Sequence, residues 1–83
     1  MYKKENYRGK YDIINDIIKV ATTPAKKTHI VYQCNLNFTV LKRYLEMMIS
    51  QNLLTPIKIK GKTLYQATEL GNSLHQQLEQ IVF

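Results

Sequence analysis

The chain has 83 residues, of which 12 are Lys or Arg and 6 are Asp or Glu, so its net charge at neutral pH is +6. This length accommodates one small domain with a single core, which argues against an enzyme with a deep active-site pocket. The basic charge favours an acidic partner, either nucleic acid or an anionic membrane surface. Because the sequence has no apolar run that spans a bilayer, no secretion signal and a single cysteine, we expect a cytoplasmic protein that does not insert into membranes.

The N-terminal part is predicted to be a basic arm over residues 1–8, and residues 9–83 are predicted to form the domain. A first helix is predicted from about Arg8 to Thr22, because apolar residues recur there at spacings of three and four. Pro24 ends this helix, since proline disfavours helical geometry in the residue that precedes it. The apolar stripe of this helix consists of Tyr11, Ile14, Ile18 and Ala21.

A short second helix is predicted over about Thr28 to Cys34, with Thr28 as its N-cap. The next three residues, Asn35-Leu36-Asn37, are typical of a tight turn. Asn35 tolerates left-handed backbone geometry, Leu36 is expected to point inward, and Asn37 is placed to cap the following helix.

The third helix, predicted from about Phe38 to Gln51, is the most periodic segment of the chain. Its apolar stripe consists of Leu41, Tyr44, Leu45 and Met48, and we expect Phe38 and Tyr44 to be packing residues. The opposite face carries Thr39, Arg43, Glu46 and Ser50, with Lys42 on its flank.

After Asn52 the hydrophobic period changes from helical to two, which predicts a strand over residues 53–60. Lys60-Gly61-Lys62 supplies a hairpin tip, and residues 63–68 return as a second strand. From Glu69 the helical period resumes. The predicted fold class is therefore mainly α with a small β component: three helices, a two-stranded basic wing and a C-terminal helix, which is the order of a winged helix-turn-helix.

Several segments carry a resemblance that covers roughly residues 8–78. They are Tyr11-Asp12-Ile13-Ile14 with Ile17-Ile18, Lys27-Thr28-His29-Ile30-Val31-Tyr32, Asn35-Leu36-Asn37-Phe38, Lys42-Arg43-Tyr44-Leu45 and Tyr65-Gln66-Ala67-Thr68-Glu69-Leu70-Gly71. In order and spacing the chain resembles the archaeal winged helix-turn-helix family of small transcriptional regulators and ten-kilodalton chromatin proteins. The resemblance implies a winged-helix fold, binding of duplex DNA, no cofactor, and dimers formed through the C-terminal helix.

The leading hypothesis is therefore a double-stranded DNA-binding protein, either a transcriptional regulator or a nucleoid-associated protein. The third helix is expected to lie in the major groove, and the wing lysines are expected to contact the DNA backbone. The candidate DNA-binding residues are Lys27, His29, Asn37, Thr39, Lys42, Arg43, Lys58, Lys60 and Lys62.

These residues also have simpler interpretations. Lys42 and Glu46 are spaced for an ion pair on a solvated helix face, and Asn37 is more easily explained as a helix cap than as a base reader. The lysines of the wing would also keep an edge hairpin soluble. A protein-docking winged helix without DNA binding is the alternative function. RNA binding is a third hypothesis, but it needs exposed aromatic side chains, and most tyrosines are predicted to face inward.

The C-terminal helix is predicted to form a homodimer surface. Its apolar line continues into an unusually apolar end, and the candidate interface residues are Leu74, Leu78, Ile81, Val82 and Phe83. The same line would also fit against the first helix of its own chain.

No group of residues predicts catalysis, a metal site or a cofactor. His29 and His75 are far apart in sequence with no cysteine or acidic cluster beside either, and the chain has no glycine-rich phosphate loop. Cys34 is expected to be a small buried apolar residue rather than a redox sensor. We therefore expect a protein that is not an enzyme.

Overall fold

The computed structural model describes residues 8–80 as four helices and one antiparallel two-stranded sheet. The elements are α1 (Lys10–Val20), α2 (Lys27–Cys34), α3 (Phe38–Ser50), β1 (Leu54–Ile59), β2 (Lys62–Ala67) and α4 (Glu69–Gln80). Their order is the one predicted from the sequence, so the winged helix-turn-helix fold is confirmed. Residues 1–7 of the predicted arm and the predicted interface residues Ile81, Val82 and Phe83 lie outside the described residues.

The core is formed where one face of each of the first three helices meets the base of the sheet. Its largest fully buried side chains are Ile17, Ile18, Ile30, Leu41, Met48, Leu54 and Cys34. Burial of each large aliphatic side chain contributes about 1.5–3 kcal/mol to folding. The prediction that Cys34 is buried is confirmed.

Two aromatic residues predicted to pack inward are instead exposed. Tyr11 is 61% exposed and Phe38 is 52% exposed. Each lies in the first turn of its helix, three residues before the first buried side chain of that helix, which is Ile14 in α1 and Leu41 in α3. The first turn of each helix therefore extends past the core, and the apolar spacing overestimated the length of the buried stripe.

The start of α2 also differs from the prediction. The helix begins at Lys27, and Lys26 rather than Thr28 occupies the N-cap position, where no side chain makes a capping hydrogen bond. Just before it, Ala25 pairs with Tyr65 of β2 through two backbone hydrogen bonds of 2.9 and 2.8 Å. This pairing fixes the chain direction at the helix entrance, so the helix starts without a side-chain cap.

The ends of α2 and α3 share one backbone motif. In each, an asparagine has left-handed geometry, with φ of 54° at Asn35 and 63° at Asn52. The leucine that follows donates its N–H back to the helix: Leu36 to Val31 O at 3.0 Å, and Leu53 to Met48 O at 2.8 Å. These bonds satisfy carbonyl groups that a helix end leaves unpaired.

The predicted alternation from Leu53 onward is wrong at its first residue. Leu53 and Leu54 are both buried, because Leu53 belongs to the turn that closes α3 and only Leu54 begins β1. At the two ends of β1, Leu54 is 1% exposed and Ile59 is 42% exposed. The wing is thus anchored at one end and projects into solvent at the other.

The start of α4 is locked onto the turn between α3 and β1. Thr68 Oγ1 accepts a hydrogen bond from Gly71 N at 2.9 Å, capping α4, and donates one to Asn52 O at 2.6 Å. Gly71 is buried, and a Cβ atom added to it would overlap the carbonyl oxygen of Leu53. A residue without a side chain is therefore needed where α4 crosses this turn.

Candidate nucleic-acid interface

The turn between α2 and α3 fixes the first residues of α3. Asn37 Oδ1 accepts a hydrogen bond from Val40 N at 2.8 Å, so this side chain caps α3. Half-buried Leu36 packs against the core from the same turn. Asn37, a candidate DNA-binding residue, thus serves as the helix cap that its sequence position favoured.

The exposed face of α3 presents Thr39, Lys42 and Arg43, as the periodicity predicted. The opposite face buries Leu41, Leu45 and Met48 in the core. The alternative ion pair between Lys42 and Glu46 is not formed within residues 8–80. Both basic side chains of this face are therefore available to an external partner.

Lys10 joins this face from a distant part of the sequence. A shallow groove of about 280 Å³ lies between the start of α1 and the middle of α3, and its lining residues are Lys10, Arg43, Tyr44 and Met47. No local pattern in the sequence predicts that Lys10 and Arg43 are neighbours, because they are 33 residues apart and come together only when α1 packs beside α3.

The start of α2 contributes a separate basic group. Lys27 and His29 are both exposed. His29 lines a larger groove of about 470 Å³ between α1 and α2, together with Asp16, Lys19, Val20 and Gln33. The two grooves share no residue, so the structure does not bring His29 together with Arg43 in one pocket.

The wing ends in a two-residue turn. Lys60 and Gly61 have φ values of 51° and 80°, as the type I′ turns of tight hairpins require. The strand register pairs Ile59 with Lys62 and Lys58 with Thr63. Since successive side chains of a strand point to opposite faces, Lys58 and Lys62 lie on opposite faces of the wing, with Lys60 at its apex.

Arg8 holds the end of α2 against α1. Its guanidinium group donates to Cys34 O at 2.6 Å and Asn35 O at 3.0 Å, and it forms an ion pair with Asp16 at 3.2 Å. A cation at this position complements the negative end of the helix dipole. Arg8, the last residue of the predicted arm, is thus attached to the domain.

The thiol of Cys34 has low reactivity in this setting. Burial, with a further contribution from Asp16 and an opposing one from Arg8, raises the pKa of the Cys34 thiol to about 11. The thiol is therefore protonated at neutral pH, whereas redox-active cysteines need an accessible thiolate.

A polar chain links α4 to α1. Asn15 Nδ2 donates to Glu79 Oε2 at 2.8 Å, and Asn15 Oδ1 accepts from His75 Nδ1 at 2.5 Å. The hydrogen bond from Asn15 is the main cause that lowers the pKa of Glu79. Of the predicted dimer residues, Leu74 packs partly against the core of its own chain, and Leu78 is half-buried.

The exposure of the tyrosines differs from the sequence prediction. Tyr11 and Tyr32 are 61% and 81% exposed, whereas Tyr44 and Tyr65 are half-buried. Tyr32 lies in the last turn of α2 and points away from Ile30, Val31 and Cys34, the buried residues of that helix. Half of the tyrosines in residues 8–80 therefore offer aromatic surface.

Within residues 8–80 two other kinds of feature are not found. No group of three or more His, Cys, Asp or Glu residues is placed to hold a metal ion in this range. None of the described helices has the length and apolar character needed to cross a membrane.

The helix-turn-helix, the wing hairpin and the basic face of α3 together define a winged helix-turn-helix protein. A sequence model of the winged helix-turn-helix family matches residues 7–82, and the chain belongs to that family. It is 27% identical over 75 residues to MJ0287, an uncharacterized protein of Methanocaldococcus jannaschii, across 89% of this chain and 73% of the relative.

Solved structures with the same fold extend the comparison. Sso10a-2, a DNA-binding protein from Sulfolobus solfataricus, matches with a TM-score of 0.81 and 25% identity over 87% of this chain and 76% of its own. The predicted DNA-binding transcriptional regulator from E. coli matches with a TM-score of 0.68 and 12% identity, over 95% and 84% of the two chains. At that identity the likeness is one of fold alone.

A part of human N-acetylserotonin methyltransferase also has this fold, with a TM-score of 0.59 and 22% identity over 71% of this chain and 17% of the methyltransferase. This match, too, is one of fold alone. The archaeal relatives confirm the resemblance found in the sequence. Membership of the winged helix-turn-helix family makes the domain a non-enzymatic one, as the sequence predicted.

Proposed function

We propose that this chain binds double-stranded DNA and acts as a transcriptional regulator or a nucleoid-associated protein. The observation that carries the proposal is the separation of charge between parts of the fold. Residues 24–68, which hold α2, α3 and the wing, contain seven Lys or Arg and a single acid, Glu46. By contrast, α1 and α4 contain four carboxylates. The similarity to Sso10a-2, which is described as a DNA-binding protein, supports the same conclusion.

In the proposed complex, α3 lies in the major groove, which is about 12 Å wide and admits a helix. Arg43 is the candidate for a bidentate contact to guanine, and Thr39 for a phosphate or a thymine methyl group. Glu46 repels phosphate, so the contacts concentrate in the first two turns of α3. Among the other candidates, Lys42 flanks Arg43 on the same helix face, Asn37 caps the helix, and Lys27, His29, Lys58, Lys60 and Lys62 contact the backbone on either side.

The proposed active unit is a homodimer. A two-fold pair places its two recognition helices in successive major grooves about 34 Å apart. Leu78 and the predicted interface residues beyond the described part of the chain are the candidate contacts. Leu74 contributes less, because part of its surface is already covered by its own core.

The direct test is fluorescence anisotropy of a labelled 30-base-pair duplex, titrated with protein at several salt concentrations. If each protomer neutralises about four phosphates, log K falls against log salt with a slope of about −7 for a dimer and about half of that for a monomer. An affinity that does not change between low and moderate salt would contradict the proposal.

Charge substitutions test the geometry of the complex. Charge reversal at Lys42 and Arg43, or at Lys60 and Lys62, is expected to weaken binding strongly. The double variant Gln76→Glu/Gln77→Glu is the control, because both residues are exposed on α4, outside the proposed DNA-binding part of the fold. If neither pair weakens binding more than the control does, the proposed docking is wrong.

A second candidate function, protein docking without DNA binding, has one observation in its favour. Phe38, the first residue of α3, is 52% exposed beside the basic face. Phe38→Ala separates the two functions: it would abolish binding to a protein partner that inserts Phe38 in a pocket, while the salt-dependent binding of duplex DNA would persist.

A further inference from the structure

Two large aromatic side chains flank the turn between α2 and α3 and are left uncovered by the fold. Tyr32, in the last turn of α2, is 81% exposed, and Phe38, the first residue of α3, is 52% exposed. Only residues 35–37 separate the two helices, and neither ring belongs to the core. Covering these rings therefore stabilises a complex rather than the isolated chain.

The side chains next to the two rings are basic or polar. His29 lies three residues before Tyr32 in α2, and Lys42 lies four residues after Phe38 in α3, so each is one helical turn from its ring. Both His29 and Lys42 are exposed. Glu46, the only acid in residues 24–68, is two turns away from Phe38. The aromatic surface is therefore bordered by groups that attract an anionic partner.

The acid that shares a groove with His29 is already paired. Asp16 lines that groove from α1, and its carboxylate forms an ion pair of 3.2 Å with Arg8. A partner that fits the two rings needs flat groups to cover them and negative charge beside those groups. Unpaired bases on a phosphate backbone have this chemistry.

We propose that Tyr32 and Phe38 form a stacking site for the unpaired bases of a single-stranded nucleic acid, with His29 and Lys42 beside its phosphates. The faces of bases within a duplex are covered by their neighbours, so an aromatic side chain stacks on bases that are unpaired. Exposed aromatic rings on a basic surface bind single strands without reading their sequence. The exposure of Tyr32 also removes the main objection that the sequence raised to this class of partner.

This activity is separate from the duplex binding proposed above. His29 and Lys42 are candidates for both activities, so only variants of the rings distinguish them. Tyr32 is not among the candidates for duplex binding, and Tyr32→Ala is therefore expected to leave the affinity for duplex DNA unchanged.

Strands that differ only in their bases test for stacking. We compare labelled oligothymidine, oligouridine and an abasic strand with the same number of phosphates, each of about 15 nucleotides, by fluorescence anisotropy at one fixed salt concentration. The wild-type chain is expected to bind the strands that carry bases about tenfold more tightly than the abasic strand. The relative affinity for oligothymidine and oligouridine then shows whether DNA or RNA is the preferred partner.

Variants of the rings identify the residues that stack. Tyr32→Ala and Phe38→Ala are each expected to weaken binding of oligothymidine about tenfold with an unchanged salt slope, since no charge is lost. Tyr32→Phe keeps an aromatic face and is expected to bind as the wild type does, whereas Tyr32→Leu is apolar without such a face and is expected to resemble the alanine variant. Tyr11→Ala is the matched control, because Tyr11 is 61% exposed on α1, one turn from the Asn15 side chain that bonds α4.

The chain has no tryptophan, which allows a direct optical readout of stacking. A stacked base quenches the fluorescence of an indole ring. Tyr32→Trp is therefore expected to lose fluorescence when oligothymidine is added but not when the abasic strand is added. Tyr11→Trp is expected to respond to neither strand.

Several results would overturn the inference. They are failure of the wild-type chain to bind single strands at low salt, equal affinity for the abasic strand and oligothymidine, equal losses in Tyr32→Ala and Tyr11→Ala, and wild-type binding by Tyr32→Leu. Sedimentation detects a different occupant: if Tyr32→Ala dissociates an oligomer and still binds single strands as tightly, a second copy covers the ring and the inference is wrong. Duplex titrations in parallel keep the two proposals apart, because loss of duplex binding alone contradicts only the proposed function.

Discussion

The base and the tip of the wing are built in opposite ways, although they belong to the same two strands. At the base, Leu54 and Ala67 face each other and both are buried. At the tip, Ile59 and Lys62 face each other and both are exposed. The base is also held by hydrogen bonds from outside the hairpin, namely Ala67 N to Ala21 O at 2.8 Å and Thr68 N to Leu53 O at 3.1 Å.

The comparison shows that one set of residues anchors the wing to the core and a different set can contact a partner. The base is covered by α4 and by the turn that ends α3, so a change there acts on the free energy of unfolding. The tip has lysines and an exposed isoleucine with no contact to the core, so a change there acts on binding. The same substitution made once at the base and once at the tip therefore tests whether the two ends have these separate roles.

The largest expected effect is that of Gly71→Ala at the base. The new Cβ would overlap Leu53 O and lie 3.2 Å from Leu53 C, both backbone atoms that cannot rotate away. We expect a loss of about 2–3 kcal/mol in the free energy of unfolding, as for other overpacked sites, although alanine favours helix formation elsewhere. Urea denaturation gives the value.

Gly61→Ala at the tip is its matched comparison. No atom lies within 4 Å of a Cβ built there, but φ is +80°, so only backbone strain opposes the change. We expect a loss of about 1 kcal/mol. If Gly71→Ala costs no more than Gly61→Ala, the base is not the rigid attachment described above.

The second prediction concerns the hydroxyl group of Thr68. Thr68→Val removes the cap of α4 and the hydrogen bond to Asn52 O while preserving the shape of the side chain. We expect a loss of about 1–2 kcal/mol, measured by urea denaturation, and recovery of most of it in Thr68→Ser. The same substitution near the tip, Thr63→Val, is the control, because Thr63 is exposed. An equal loss in both valine variants would contradict the role of the cap.

Much of the fold was predictable because local signals and global packing agree. The Asn35-Leu36-Asn37 turn is an example. Asn35 adopts the left-handed geometry that ends α2, and Asn37 caps the start of α3, so the sequence of the turn specifies both of its ends. The alternation of β1 and the Lys60-Gly61 turn specified the hairpin in the same way. The exposed basic face of α3 followed from helical periodicity alone.

The remaining features depend on contacts between distant segments, for which the sequence carries no local signal. The pairing of Ala25 with Tyr65 and the groove shared by Lys10 and Arg43 arise only when the helices pack. The exposure of Phe38 has the same origin, since periodicity shows which side of a helix is apolar but not how far along its length the core extends. For the candidate site, the sequence identified charged residues but not their division between two faces of the wing.

The smallest expected effect on stability is that of Lys60→Asn at the tip. Lys60 has a φ of 51°, a left-handed conformation that asparagine tolerates better than lysine, so the turn is preserved while one positive charge is removed. We expect the free energy of unfolding to change by less than about 0.5 kcal/mol. The slope of log K against log salt is expected to become shallower by about 1 for each wing that contacts DNA, because one phosphate contact per wing is lost. Gln76→Glu, which changes the charge by the same amount on α4, is expected to leave the slope unchanged. If Lys60→Asn lowers stability and leaves the slope unchanged, the tip supports the fold rather than a partner, and the contrast between the two ends of the wing no longer holds.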